Sequence, residues 1–120
     1  MVRGIRGATT VTENDRSEMI EATEELVQEM IQANKVEADD VAQILISVTE
    51  DIDAAFPAAA VRRIEGWSYV PVMCMREIPV PNSIQKCIRV MMTVNTSIDQ
   101  DKINHIYLKE AVALRPDLKS

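Results

Sequence analysis

Apolar residues along this chain recur with helical spacing in one long segment and with strand-like density in several shorter ones. Between residues 14 and 33 the spacing is three and four, which predicts an amphipathic helix. Asn14 or Asp15 can cap this helix, Asp15 and Glu18 have capping-box spacing, and Asn34 is suited to end it. The predicted apolar stripe consists of Met19, Ile20, Thr23, Leu26, Val27, Met30 and Ile31.

Five other segments have the composition of β-strands. They are residues 2–10, 41–49, 68–78, 86–95 and 105–114. Residues 41–49 are a continuous apolar run, which is typical of a strand covered on both faces. Between the second and third strands we expect a short helix to about Arg63, with Pro57 at its first position and Gly66 as its stop. Residues 98–104 form a polar connection with room for one helical turn.

The resulting order, β-α-β-α-β-β-β, predicts a mixed sheet with helices packed on one face, an α/β or α+β domain. Two helices leave part of such a sheet uncovered. We therefore expect an oligomer in which sheet faces bury one another.

Length and composition set the broad class of protein. The chain has 120 residues, 47% of them apolar, which predicts one domain spanning residues 1–120, with 116–120 as a flexible tail. No apolar run approaches the roughly 20 residues of a membrane span, and no apolar block follows the first basic residues as in a signal peptide. We expect a cytoplasmic protein in which Cys74 and Cys87 are reduced.

Charge is distributed unevenly. The net charge of −6 argues against nucleic-acid binding, which needs a basic surface. Residues 11–53 carry 13 acidic and two basic side chains, whereas the rest of the chain carries six acidic and eleven basic ones. The arginines outside the acidic segment could bind a small anionic ligand, although the charges alone favour the simpler interpretation of a solvated acidic helix with unrelated surface arginines.

The familiar signatures of covalent or cofactor chemistry are missing from the sequence. Three glycines do not form a phosphate loop or dinucleotide fingerprint, and there is no Gly-x-Ser-x-Gly nucleophile motif. One histidine and two cysteines cannot close a zinc site without carboxylates. We therefore expect no cofactor and no metal.

Two charged residues lie within predicted strands. Arg89 alternates with Cys87 and Met91, and arginine is rarely placed among apolar neighbours unless it is paired or binds a ligand. Glu77 ends the third strand. One interpretation is an ion pair between Glu77 and Arg89 that joins adjacent strands. The other is a pocket whose carboxylate and guanidinium groups bind a substrate with carboxylates and a hydroxyl.

Other candidates carry weaker signals. Tyr107 and Arg115 share one face of the last predicted strand but would be about 26 Å apart unless the chain bends or two subunits contribute. Cys74 has the opposite parity to Glu77, so a shared site requires a bulge or the Cys74 backbone. Phe56 precedes a predicted helix, where core packing and an interface contact are the alternatives.

Five blocks of the sequence together resemble one family. They are RGIRGATTV, AxFPAxAVR, GWxYVPVxCMxE, KCIRVMMTV and HxYLxxxVxLRPDL. In this order, from Arg3 to Leu118, they resemble the small trimeric chorismate mutases of the AroH class. The resemblance implies a homotrimeric pseudo-α/β barrel with active sites between subunits, and the rearrangement of chorismate to prephenate on the route to phenylalanine and tyrosine.

The resemblance also implies roles for individual residues. Arg6 and Tyr107 would bind substrate carboxylates, and Arg89 would hydrogen-bond the ether oxygen. Glu77 would accept the ring hydroxyl's proton, with Cys74 beside it. Phe56 and its segment would come from the neighbouring subunit, with Arg62 at the entrance, while Leu114 and Arg115 would fold over the site. The full implied set is Arg6, Phe56, Ala58, Ala59, Arg62, Met73, Cys74, Met75, Arg76, Glu77, Arg89, Tyr107, Leu114 and Arg115.

Two positions depart from the family pattern. Ala59 stands where lysine is frequent, and Met73 stands where threonine often precedes the cysteine. We expect affinity to change and the chemistry to survive. Two alternatives use a similar fold: an imine-deaminase-type trimer, and a non-catalytic sensor of aromatic-pathway metabolites.

Overall fold

A computed structural model of the chain describes residues 1–114, in which seven helices and strands follow the predicted order. They are β1 (Val2–Thr10), α1 (Arg16–Asn34), β2 (Val41–Val48), α2 (Ala58–Arg62), β3 (Val72–Arg76), β4 (Cys87–Asn95) and β5 (Ile106–Tyr107). Short 3-10 turns lie at Ala38–Asp40, Gln100–Lys102 and Lys109–Leu114. Within residues 1–114, each helix is too short or too polar to cross a membrane.

The strands form one mixed sheet in the order β3-β2-β4-β1-β5. β4 lies at the centre and pairs antiparallel with both β1 and β2, whereas the outer pairs β2/β3 and β1/β5 are parallel. The predicted fold class, a mixed sheet with helices, is confirmed.

One face of the sheet carries the main core. Alternate residues of the central strands, such as Ile5, Ile46 and Met92, are fully buried in the apolar cluster that includes α1. Gly7 lets α1 approach closely, since a Cβ there would lie 2.5 Å from Met30 Sδ. Every residue of the predicted α1 stripe is buried except Ile31, which is partly buried.

The opposite sheet face has no helix over its centre. A row of cross-strand neighbours runs Met73, Leu45, Met91 and Arg6, and Met73 is 63% exposed. Towards one end of this face the 3-10 turn Lys109–Leu114 covers a small cluster around Cys87. The sheet therefore presents an apolar patch to solvent, as expected for a sheet of this size with only two predicted helices.

The ends of α1 follow local chemistry. Asp15 is the N-cap, because its carboxylate accepts the Glu18 backbone N–H at 2.9 Å. Glu18 accepts in turn from the backbone N–H groups of Thr12 and Glu13, rather than from Asp15 as in a standard capping box. The helix ends at Asn34, and Lys35 adopts the left-handed conformation.

Two predicted strands are longer than the observed ones. The third spans only Val72–Arg76, because residues 67–70 form a turn and Pro71 has no N–H to pair. The prediction of a strand over 105–114 is wrong after Tyr107. The Leu108 N–H still binds the Ala8 carbonyl, but Lys109 takes a φ of 54° and a 3-10 turn follows.

The second helix is close to its prediction. It spans Ala58–Arg62, so Pro57 is its N-cap instead of its first residue. Gly66, with a φ of 87°, lies after the turns that extend the helix.

We expect Asp15→Ala to destabilise the protein by about 1 kcal/mol, because α1 loses the acceptor for its first turn. Asp15→Asn is the matched control, since its amide oxygen can still accept the Glu18 N–H. Urea unfolding at fixed protein concentration measures both variants. Equal losses for alanine and asparagine would contradict a capping role for Asp15.

Candidate active site

Arg89 and Glu77 meet on the sheet face that lacks helices. Arg89 Nε lies 2.9 Å from Glu77 Oε2, and the two side chains are 47% and 26% exposed. Arg89 belongs to β4 and Glu77 follows β3, so the pair crosses the intervening strand β2. The sequence interpretation of an ion pair is thus correct, but the expectation that it joins adjacent strands is wrong.

A cavity of about 500 Å³ surrounds this ion pair. Arg6 from β1 and Tyr107 from β5 line it together with the pair, so the sheet brings four predicted site residues to one place. Arg76 lines it too, which leaves the charged side chains of its wall with an excess of positive charge. Such a lining suits a small ligand with more than one negative group. The complete predicted set on this wall is Arg6, Met75, Arg76, Glu77, Arg89, Tyr107 and Leu114.

Backbone pairing explains why these residues converge. Arg89 lies opposite Ser47 on one side and Ala8 on the other, and Ala8 pairs with Tyr107. Because facing residues of neighbouring strands point to the same side, the row brings side chains distant in sequence onto one face. The backbone N–H of Arg6 donates to His105 Nδ1 at 2.9 Å, which ties β1 to the chain just before β5.

Sequence reasoning missed Ser47. Its Oγ donates to Glu77 Oε2 at 3.3 Å, and the residue lines the same cavity. Its only signal in the sequence is a hydroxyl within an apolar strand, VAQILISV.

Cys87 precedes Arg89 by two residues on β4, so both side chains lie on the same face of the sheet. Burial raises the pKa of its thiol, and this effect outweighs the opposing influence of Arg89. The thiol is therefore neutral near pH 7 and places no negative charge next to Arg89.

A second hollow, of about 470 Å³, adjoins the edge strand β3. Phe56 and Cys74 line it, and Phe56 is 78% exposed. Met75 and Arg76 line both hollows. Within one chain Cys74 packs towards the main core and does not lie beside Glu77 in the first cavity, which agrees with its opposite parity.

Apart from Arg115, the remaining predicted residues lie outside the first cavity. Ala58 is buried in α2, Ala59 is partly buried there, and Arg62 is exposed at its end. Met73 is exposed on the helix-free face. Arg115 lies outside the described residues, as does the predicted tail over 116–120.

Residues 1–114 contain no group of three or more histidine, cysteine, aspartate or glutamate side chains arranged to hold a metal ion.

Asp51 anchors the loop that connects Glu77 to β4. Its carboxylate accepts the Thr49 hydroxyl at 2.6 Å and the Lys86 backbone N–H at 2.9 Å. Partial burial opposes ionisation, but the hydrogen bonds outweigh it and hold the pKa of Asp51 below its ordinary value. Thr49 Oγ1 also accepts the Cys87 N–H at 3.0 Å, so this network fixes the start of the strand that carries Arg89.

Comparisons with known proteins point to one family. The family model for chorismate mutase type I matches residues 2–118. The chain is 52% identical to chorismate mutase AroH of Bacillus subtilis (strain 168) over 98% of its length and 93% of the relative's. It is 48% identical to chorismate mutase AroH of Thermus thermophilus over 100% of its length and 98% of that protein's.

A solved structure of chorismate mutase from Clostridium thermocellum superposes with a TM-score of 0.89 at 50% sequence identity, covering 92% of this chain and 97% of that one. The fold and cavity thus define a mixed-sheet protein with a cationic pocket for a small ligand. The chain belongs to the type I chorismate mutase family and is an isomerase. This membership favours the resemblance seen in the motifs over the imine-deaminase alternative.

We expect Asp51→Asn to destabilise the protein at neutral pH and to have progressively less effect in acid. Because folding lowers the pKa of Asp51, the ionised carboxylate stabilises the fold at pH values above the unfolded-state pKa of about 3.9. This stabilisation is lost as the pH falls through the lower folded-state pKa. Urea midpoints between pH 7 and pH 3 measure this change. Asp39→Asn, at an exposed turn, is the control. A difference between wild type and Asp51→Asn that is independent of pH would contradict the linkage.

Proposed function

We propose that this chain catalyses the rearrangement of chorismate to prephenate in a cavity completed by a neighbouring subunit of a homotrimer. The observation that carries the proposal is the Arg89 guanidinium, which Glu77 holds in the wall of a cationic cavity. Family membership indicates which reaction to expect, and the charged side chains of the cavity are of the kind that this reaction needs.

The reaction takes place within one substrate molecule. The ether C–O bond breaks while a C–C bond forms between the enolpyruvyl arm and the ring, and no proton has to move. Catalysis therefore depends on holding the flexible arm over the ring and on stabilising the negative charge that develops on the ether oxygen.

Arg89 is suited to stabilise the ether oxygen. Its Nε is engaged by Glu77, which fixes the guanidinium plane, and the group has further N–H donors for a ligand. A guanidinium group is always charged near neutral pH. The charge is thus in place before the reaction begins, so little reorganisation is required when the bond breaks.

Arg6, Tyr107 and Glu77 are suited to orient the substrate. Arg6 and Tyr107 approach from the β1 and β5 side of the cavity, where they can bind carboxylates. Glu77, on the β3 side, can accept the hydrogen bond of the ring hydroxyl. Binding groups at opposite walls would hold the two ends of the substrate in a compact conformation.

Two features support a homotrimer. The helix-free sheet face exposes Met73 and Met75, by 63% and 42%, and such apolar patches usually mark an interface. The second hollow presents exposed Phe56 across the edge strand from the first. In the proposed assembly the hollow of one subunit covers the Arg89 cavity of the next, which brings Phe56 and Cys74 towards the substrate.

We also infer a cytoplasmic location, which the chemistry of the cysteines supports. Cys74 and Cys87 are free thiols, which suit the reducing cytoplasm. The product, prephenate, leads to phenylalanine and tyrosine.

We expect Arg89→Gln to lower kcat by about 10²- to 10³-fold, the effect of removing one preorganised donor, with a smaller change in KM. The loss of chorismate absorbance in the ultraviolet measures both constants. Arg63→Gln is a matched control, because Arg63 pairs with Glu24 at the α2–α1 contact, away from the cavity. Equal losses in kcat and in substrate affinity would reduce Arg89 to a binding residue. An inactive wild type that still binds chorismate would favour the metabolite sensor.

We expect Leu45→Lys to dissociate the trimer, since Leu45 lies between Met73 and Met91 on the helix-free face. Because Leu45 also lines the Arg89 cavity, assembly and not loss of activity is the readout for this variant. Gln32→Lys adds the same charge at an exposed position of α1 and is the control. Light scattering and the ultraviolet assay measure assembly and turnover. An active monomer, whether wild type or variant, would contradict a site shared between subunits.

A further inference from the structure

Ser47 occupies the position between the two charged residues of the cavity. It lies on β2, where it is paired with Arg89 of β4 on one side and with Met75 of β3 on the other. Met75 precedes Glu77 by two residues. Adjacent strands are about 4.8 Å apart, so Arg89 must extend across the whole width of β2 to reach Glu77. A small side chain at position 47 leaves that path open.

The hydroxyl of Ser47 also acts on the pair directly. Ser47 Oγ donates to Glu77 Oε2 at 3.3 Å, the same oxygen that Arg89 Nε approaches to 2.9 Å. The backbone N–H of Ile78 lies 3.4 Å from Oε1. Two side-chain donors thus fix Oε2 against the sheet, and Oε1 is the less constrained oxygen.

From this arrangement we infer that Ser47 is a positioning residue for the rearrangement, holding Glu77 so that its carboxylate serves both Arg89 and the substrate hydroxyl. The inference rests on the proposed function. Ser47 acts through Glu77: without its hydroxyl the carboxylate can rotate away, and the guanidinium that it orients loses its fixed plane.

A double-mutant cycle tests this role. In the wild-type background Ser47→Ala is expected to lower kcat/KM by about three- to tenfold, the effect of losing one hydrogen bond of average strength, because the Ser47–Glu77 bond is long at 3.3 Å. Ser47→Thr keeps the hydroxyl and is expected to stay within about twofold of wild type. In a Glu77→Gln background, Ser47→Ala is expected to change kcat/KM little, because the carboxylate that it positions is gone.

Ser97→Ala, at an exposed position, is the matched control, and circular dichroism with light scattering checks fold and assembly. Wild-type activity in the Ser47→Ala variant would overturn the inference. So would an undiminished loss in the Glu77→Gln background, or a loss in Ser47→Thr equal to that in Ser47→Ala. An inactive wild type would contradict the proposed function itself, so the two failures are distinguishable.

Discussion

The structure depends on a sheet that helices cover on only one face. On that face α1 approaches closely enough that Gly7 has no room for a side chain, and the core of the domain lies between them. The intervening residues of the same strands point to the other face, away from α1. Since side chains of a strand alternate in direction, each strand that buries a residue such as Ile46 or Val90 under the helix also presents one such as Ser47 or Arg89 to the open face.

Because one face of the sheet is packed and the other is open, a chain without the usual catalytic motifs can still form a cavity lined by charged side chains. Ser47 and Arg89 lie on the neighbouring strands β2 and β4, Glu77 directly follows β3 on the other side of β2, and Tyr107 comes from the far edge of the sheet. The sheet is rigid because its core face is packed, so the charges on its open face are held in place by the core. The proposed rearrangement needs orientation and a fixed positive charge, and a packed sheet is suited to hold the groups that would provide them.

Periodicity in the sequence predicts the helix α1 and the order of strands and helices along the chain, because each depends on local apolar spacing. That order in turn predicts a mixed sheet. Periodicity fails at residues 108–114, where β-like composition gives way to a 3-10 turn as Ala111 packs beside Cys87. It could not place β2 between Glu77 and Arg89, since strand order is a long-range property. Ser47 was missed for the same reason: its importance comes from neighbours on other strands, not from its own segment.

The uneven charge of the chain now has a structural basis. Most acidic residues of the segment 11–53 lie on the exposed side of α1 or in the turns beside it, whereas Arg6, Arg76 and Arg89 line the cavity on the opposite side of the sheet. The sheet and core separate the two sets of charges. A dicarboxylate approaching the open face meets the guanidinium groups first, while the acidic helix remains behind the low-dielectric core. The net charge of −6 bears on the solubility of the protein, whereas the positive charge around the cavity bears on the kind of ligand that the cavity can bind.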